Sequence, residues 1–242
     1  MVNISQAIKY PNLNNLEAEI ILANTLDKDR SFLHAHPDLL LSDHVKKLFI
    51  TRCERRLSKE PIDYILGFKE FYSLKFYVDK NVLIPRPETE NLVDKVIKYA
   101  NGKHMIIYDV GTGSGCIAVS LAKNLPLANI FASDISLKAL NVARKNAKLH
   151  NVESKIKFLY GNLLSPINFK VDIIVANLPY IQTKNITALE PKIKDWEPIK
   201  ALDGGADGMK IYRHLFQTAS KKLFANGKIF YEFDGGVYEK NN

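Results

Sequence analysis

Ile106-Ile107-Tyr108-Asp109-Val110-Gly111-Thr112-Gly113-Ser114-Gly115-Cys116 decides the fold. A short apolar run ends in a glycine-spaced loop, and helical spacing then runs from Cys116 to Asn124. Strand, tight loop and helix form the unit that opens an α/β sheet, and its loop lies at the carboxyl end of the strand, where such sheets bind ligands. Glycines let the backbone turn sharply and approach a ligand with no Cβ in the way. A dinucleotide fingerprint, G-x-G-x-x-G, needs glycine at the position of Cys116. Here the third glycine comes one residue early, at Gly115, so the loop suits a nucleoside-bearing ligand better than a pyrophosphate. Asp134 ends the next apolar run, about 20 residues further on, where an acid can accept hydrogen bonds from both ribose hydroxyls.

Outward from this unit the pattern repeats. Ile130 to Ser133, Ile156 to Leu159, Asp172 to Ala176 and Lys228 to Phe233 read as strands. Leu137 to Leu149 and Met209 to Leu223 read as helices. Alternating strands and helices imply βαβ units, a mostly parallel sheet and right-handed crossovers. Upstream the rhythm is different. Leu16, Ile20 and Ala23, then Val45, Leu48 and Phe49 on to Leu57, fall at helical spacing, with Ser42 as an N-cap and Pro37 and Pro61 as breaks. Phe68 to Val78 is aromatic-rich and suits a β-hairpin or an extended linker, and Glu88 or Thr89 opens the helix through Leu92 and Val96. The expected organisation is a helical domain over 1–67, a hairpin linker over 68–87 and an α/β domain over 88–242.

The chain has 242 residues, with 34 Lys and Arg against 26 Asp and Glu, a formal charge of +8. Lys and Glu are interspersed with no Arg-rich block, so the excess reads as a solvated surface. An apolar content of 46% excludes a rod or a wholly disordered chain. Two cysteines cannot build a disulfide framework, and no signal peptide or membrane span is visible, so a cytoplasmic protein is expected. His34, His36 and His44 lack the partners of a metal site, and no metal is expected. Cys116 reads as a small residue packed beneath the ligand, and Trp196 to Pro198 as a loop over the site.

The run Asp172 to Ala176 ends in Asn177-Leu178-Pro179-Tyr180. With the glycine loop and Asp134, this tetrapeptide resembles the S-adenosyl-L-methionine (AdoMet)-dependent methyltransferases that act on planar nitrogens. Leu83-Ile84-Pro85-Arg86-Pro87-Glu88-Thr89-Glu90, Glu197-Pro198 and Asp207-Gly208 resemble, more narrowly, the protein-(glutamine-N5) methyltransferases of peptide-chain release factors. The resemblance implies a Rossmann-like sheet preceded by a helical, substrate-selecting domain and a hairpin. It implies AdoMet as cofactor, S-adenosyl-L-homocysteine (AdoHcy) as product, and a release factor as partner in translation termination. No membrane and no stable nucleic-acid partner are expected. Gly111, Thr112, Gly113, Ser114, Gly115, Asp134, Asn162, Leu163 and Asn177 would hold the cofactor, and Asn177, Leu178, Pro179 and Tyr180 the reacting glutamine of a Gly-Gly-Gln loop.

The implied chemistry has a physical rationale. An amide nitrogen is a poor nucleophile because its lone pair is delocalised into the carbonyl. It must be held in line with the methyl, at roughly 3–3.5 Å. The Asn177 side-chain oxygen can accept one amide hydrogen and the carbonyl of Leu178 the other, with Tyr180 as a flat wall. Three departures stand out. Leu178 occupies a position where the family usually has proline, though the carbonyl is retained. Asn162 stands where an acid usually meets the adenine amino group, and its amide oxygen can accept the same bond. The chain ends soon after Lys228 to Phe233, and the expectation is a sheet edge left bare, with the C-terminal strands missing. The alternatives are a DNA or RNA amino-methyltransferase, a catalytically silent AdoMet-binding protein, and, weakest, a nicotinamide-dependent reductase.

Overall fold

The computed structural model describes residues 2–242. The chain forms two compact units, one of residues up to Gly67 together with Pro191–Trp196, the other of Phe68–Glu190 and Glu197–Asn242. The first unit is helical: α1 (Ile4–Ile8), α2 (Asn15–Leu26), α3 (Arg30–Ala35), α4 (Asp43–Leu57) and α5 (Ile62–Leu66). Side chains of Asn3, Asn14, Asp29 and Ser42 accept hydrogen bonds from the first-turn amides of α1 to α4 in turn, which satisfies donors the helices leave orphaned. Ile4, Ile21, Leu22, Leu33, Phe49 and Cys53 form its core.

The second unit starts with the hairpin β1 (Phe68–Phe71) and β2 (Leu74–Tyr77) and then α6 (Glu90–Ala100). Its sheet holds β3 (Ile106–Val110), β4 (Asn129–Asp134), β5 (Ile156–Tyr160), β6 (Val171–Asn177), β9 (Leu223–Phe233) and β10 (Gly236–Asn241) in the order β10-β9-β6-β3-β4-β5. Between β6 and β9 the short strands β7 (Ile181–Gln182) and β8 (Asp203–Gly205) pair with each other. Helices α7 (Cys116–Asn124), α8 (Leu137–Leu149) and α9 (Lys210–Ala219) complete the unit.

Every pair in the large sheet is parallel except β9 with β10. The chain runs outward from β3 through β4 to β5, then returns to the other flank of β3 as β6. The order therefore reverses between β3 and β6, and the crevice of such a sheet opens at the carboxyl ends of those two strands. Both faces are covered. Ile107, Ile173, Val175 and Phe230 pack with α6 and α7 on one side, and Tyr108, Ile174, Ala176 and Ile229 with α9 on the other.

Two expectations need correction. The helix expected over Met209 to Leu223 ends at Ala219, and Leu223, fully buried, already pairs with Val171 as the first residue of β9. The edge of β9 is not bare: Asp234 and Gly235, both with positive φ, turn the chain back, and β10 pairs with β9 from Gly236↔Phe233 to Asn241↔Lys228. An Asp-Gly pair with φ above zero at both positions makes the tight turn whose twist matches a hairpin.

Candidate active site

The loop Gly111 to Gly115 leaves β3 at the switch point. A Cβ on Gly111 would lie 2.8 Å from the Leu178 side chain, so the glycine allows the first loop to pass against the end of β6. Asp134, at the end of β4, holds the loop from the side: its carboxylate accepts the Gly113 N–H at 2.9 Å and the Ser136 N–H at 2.8 Å. Burial raises its pKa and these backbone bonds oppose the rise. Beneath the loop, Asp109 is fully buried and accepts the Thr112 hydroxyl at 2.6 Å. Burial pushes its carboxyl up to about 7, and its Oδ1 has no partner among the described residues. Asn146 of α8 ties this region to the hairpin, bonding both backbone groups of Tyr77 and the Ser114 carbonyl.

On the far side of the loop, Asn162 and Leu163 follow β5. Leu163 takes positive φ, and its carbonyl accepts the buried Tyr108 hydroxyl at 3.1 Å, which fixes the turn against β3. At the end of β6, Asn177 donates from Nδ2 to the Thr89 hydroxyl at 2.9 Å. The Leu178 N–H donates to the Tyr212 hydroxyl at 2.9 Å, and that hydroxyl donates in turn to the Glu232 carbonyl. Tyr180 lies beside Phe233 with ring centroids 5.6 Å apart. Behind it, a Cβ on Gly208 would meet the Tyr180 carbonyl oxygen at 2.2 Å, so the Asp207-Gly208 pair lets a second backbone close onto the motif.

These segments enclose a cavity of about 650 Å³, lined by Gly111 to Ser114, Asp134, Asn162, Leu163, Asn177, Leu178 and Pro179 among others. Its size lies within the usual range of small-molecule sites, about 300–1,000 Å³. Gly115 and Tyr180 stand just outside the lining. Arg86 and Pro198 also line it, and Arg86 donates to both oxygens of the buried Glu197, at 2.7 and 2.9 Å. Cys116 lines it too, as a buried thiol pushed by burial to about 12.

Reading the motifs alone misses Thr89 as a partner of Asn177, since a helix-opening role was the expectation. It also misses Glu232, 2% exposed, which pairs in register with Asn177 across β6 and β9. A lone acid among the apolar residues of Lys228 to Phe233, at the carboxyl end of a strand, was the available signal.

The residues fit a nucleoside-bearing cofactor. A cavity floored by glycines, with an acid at the end of β4 on its wall, supplies the hydrogen-bonding edges such a group needs. Among the described residues no helix is long and apolar enough to cross a membrane.

Comparison with known families agrees with this layout. Residues 9–67 match the profile of the PrmC N-terminal domain and residues 88–192 that of the methyltransferase small domain. A release factor glutamine methyltransferase of Thermodesulfovibrio yellowstonii is 40% identical over 239 residues, 96% of this chain and 84% of its own. That of Flavobacterium psychrophilum is 42% identical over 205 residues, covering 82% and 71%. A bifunctional methyltransferase of Rickettsia bellii is 37% identical over 93% of this chain, which spans 46% of that protein.

Proposed function

The chain belongs to the release factor glutamine methyltransferase family, and we infer from that membership and from the amide-sized clamp at Asn177 that it is an AdoMet-dependent enzyme methylating release factors. The acceptor is the side-chain nitrogen of the glutamine in a Gly-Gly-Gln loop. When bound, AdoMet supplies an electrophilic methyl group on a sulfonium. The loop Gly111 to Gly115, Asp134, Asn162 and Leu163 are the residues that would hold it, Asp134 by accepting from ribose hydroxyls.

The chain's own part is positioning. Asn177 Oδ1 and the Leu178 carbonyl each accept one hydrogen of the substrate amide, which fixes the plane of the nitrogen and the direction of its lone pair. Tyr180 bounds that plane. A positively charged nitrogen sheds its proton readily, so no strong base is needed at the motif. The single observation that carries this reading is the Asn177-Leu178 pair at the carboxyl end of β6, on the wall of the cavity and against the glycine loop. The helical unit is the part we assign to choosing the protein substrate; Leu16, Leu39, Leu40, Leu48 and Leu57 are exposed on it.

Transfer of labelled methyl from AdoMet to a purified release factor, for wild type and Asn177→Ala, tests the clamp. Turnover is lost in the variant while AdoHcy binding, read by calorimetry, stays within several-fold. Wild-type turnover in Asn177→Ala contradicts the assignment.

A further inference from the structure

The two ends of an asparagine amide have the same shape and opposite polarity, so its neighbours alone decide which end faces a substrate. At Asn177 those neighbours are Thr89 and Glu232. We propose that Glu232 sets the orientation of the Asn177 amide, and so acts as a positioning residue for methyl transfer; this rests on the clamp reading above. Asn177 and Glu232 are cross-strand partners in the parallel ladder of β6 and β9, so their side chains leave the same face of the sheet. On that face Thr89, 2% exposed at the start of α6, accepts from Asn177.

An ionised carboxylate only accepts hydrogen bonds, whereas a hydroxyl both donates and accepts. Thr89 by itself therefore cannot tell the two ends of the amide apart. Thr89 and Asn177 turn polar hydrogens toward the Glu232 carboxylate closely enough to oppose the effect of its burial. With the Thr89 proton directed to the carboxylate, Thr89 Oγ1 can only accept from Asn177, as it does at 2.9 Å. Nδ2 is thereby held on the Thr89 and Glu232 side, and Oδ1 is left for the substrate amide. The reversed amide would set Oδ1 against the carboxylate.

Glu232 has no evident task in folding. No backbone N–H binds its side chain, and Oε2 has no partner among the described residues although the residue is 2% exposed. Burying a carboxylate that way costs stability.

The test uses the full chain and a release factor. Glu232→Met keeps the bulk and removes both acceptors; Glu232→Gln keeps one acceptor. In Glu232→Met, kcat falls by about 10- to 100-fold, the scale of a misplaced reacting group. KM for the release factor and AdoHcy affinity change by less than about threefold. Glu232→Gln restores kcat to within a few-fold, a recovery that bulk alone would not produce. Unchanged kcat in Glu232→Met overturns the proposal. If Glu232→Met does not fold, Thr89→Val is read instead: kcat falls, or the proposal fails. A second readout needs no turnover. In asparagine-labelled protein the Asn177 side-chain N–H pair is protected from exchange in the wild type and unprotected in Glu232→Met. Wild-type protein that methylates no release factor contradicts the function, whereas equal protection in both proteins contradicts the role of Glu232.

Discussion

Leu178 carries a backbone N–H that a proline in its place would lack, and the fold gives that N–H a partner. The Tyr212 hydroxyl, fully buried, accepts it and donates its own hydrogen bond to the Glu232 carbonyl, so one phenol joins the ends of β6 and β9. Tyr212→Phe strands both backbone groups in the interior, and a loss of about 1–3 kcal/mol is expected in denaturant unfolding. The same change costs less in a Leu178→Pro background, where there is no N–H to strand. Equal costs in the two backgrounds would show that the hydroxyl serves only the Glu232 carbonyl. Asn177 and its neighbours are legible in the sequence because four consecutive residues carry the motif. Thr89 and Glu232 are not, because each meets Asn177 from more than 50 residues away and nothing beside either in the sequence names that partner.

The strand–loop–helix unit from β3 to α7 is the element that makes the ligand crevice, and its spacing announces it without any tertiary information. The state of the acid beneath it is less visible, since burial depends on what covers it. Asp109 in the unfolded chain titrates near 3.9, and in the folded protein near 7. Between those values the folded state holds a proton that the unfolded state has released, so stability is full at low pH and falls as pH rises toward 7. Thermal unfolding near pH 5 and near pH 8 is expected to show a smaller drop for Asp109→Asn than for wild type; equal drops would place the pH dependence elsewhere. Asp134, at the end of β4, holds the loop through the Gly113 N–H and is the residue we assign to the ligand's ribose. Asp134→Ala is expected to weaken AdoHcy binding by about 1.5–3 kcal/mol in calorimetry, and unchanged affinity would remove Asp134 from the site. Element ends follow a similar rule. The start of β9 at Leu223 was hidden because apolar spacing in α9 continues smoothly into it. The turn at Asp234-Gly235 is a recognisable hairpin signal, but β10 beyond it is mostly polar and gives little alternation to read.

At the scale of the molecule, the sheet domain gathers the cavity from segments spread between Asn81 and His214. Arg86 and Glu197, far apart in sequence and joined by two hydrogen bonds, draw two rims of that cavity together. The sheet order supplies the rest: because the strand order reverses between β3 and β6, the glycine loop and Asn177-Leu178 must come out side by side. The helical rhythm before Gly67 and the alternation after it made the division of the chain readable, since the two periodicities differ. Function at this scale is one claim, that the clamp holds the amide of a release-factor glutamine. It is tested most directly by incubating a release factor with the protein and AdoMet and locating the product by tandem mass spectrometry. The expected product carries a single added methyl on the side-chain nitrogen of the glutamine in the Gly-Gly-Gln loop, lost with Asn177→Ala. A methyl at any other residue, or none while AdoHcy still binds, would contradict it.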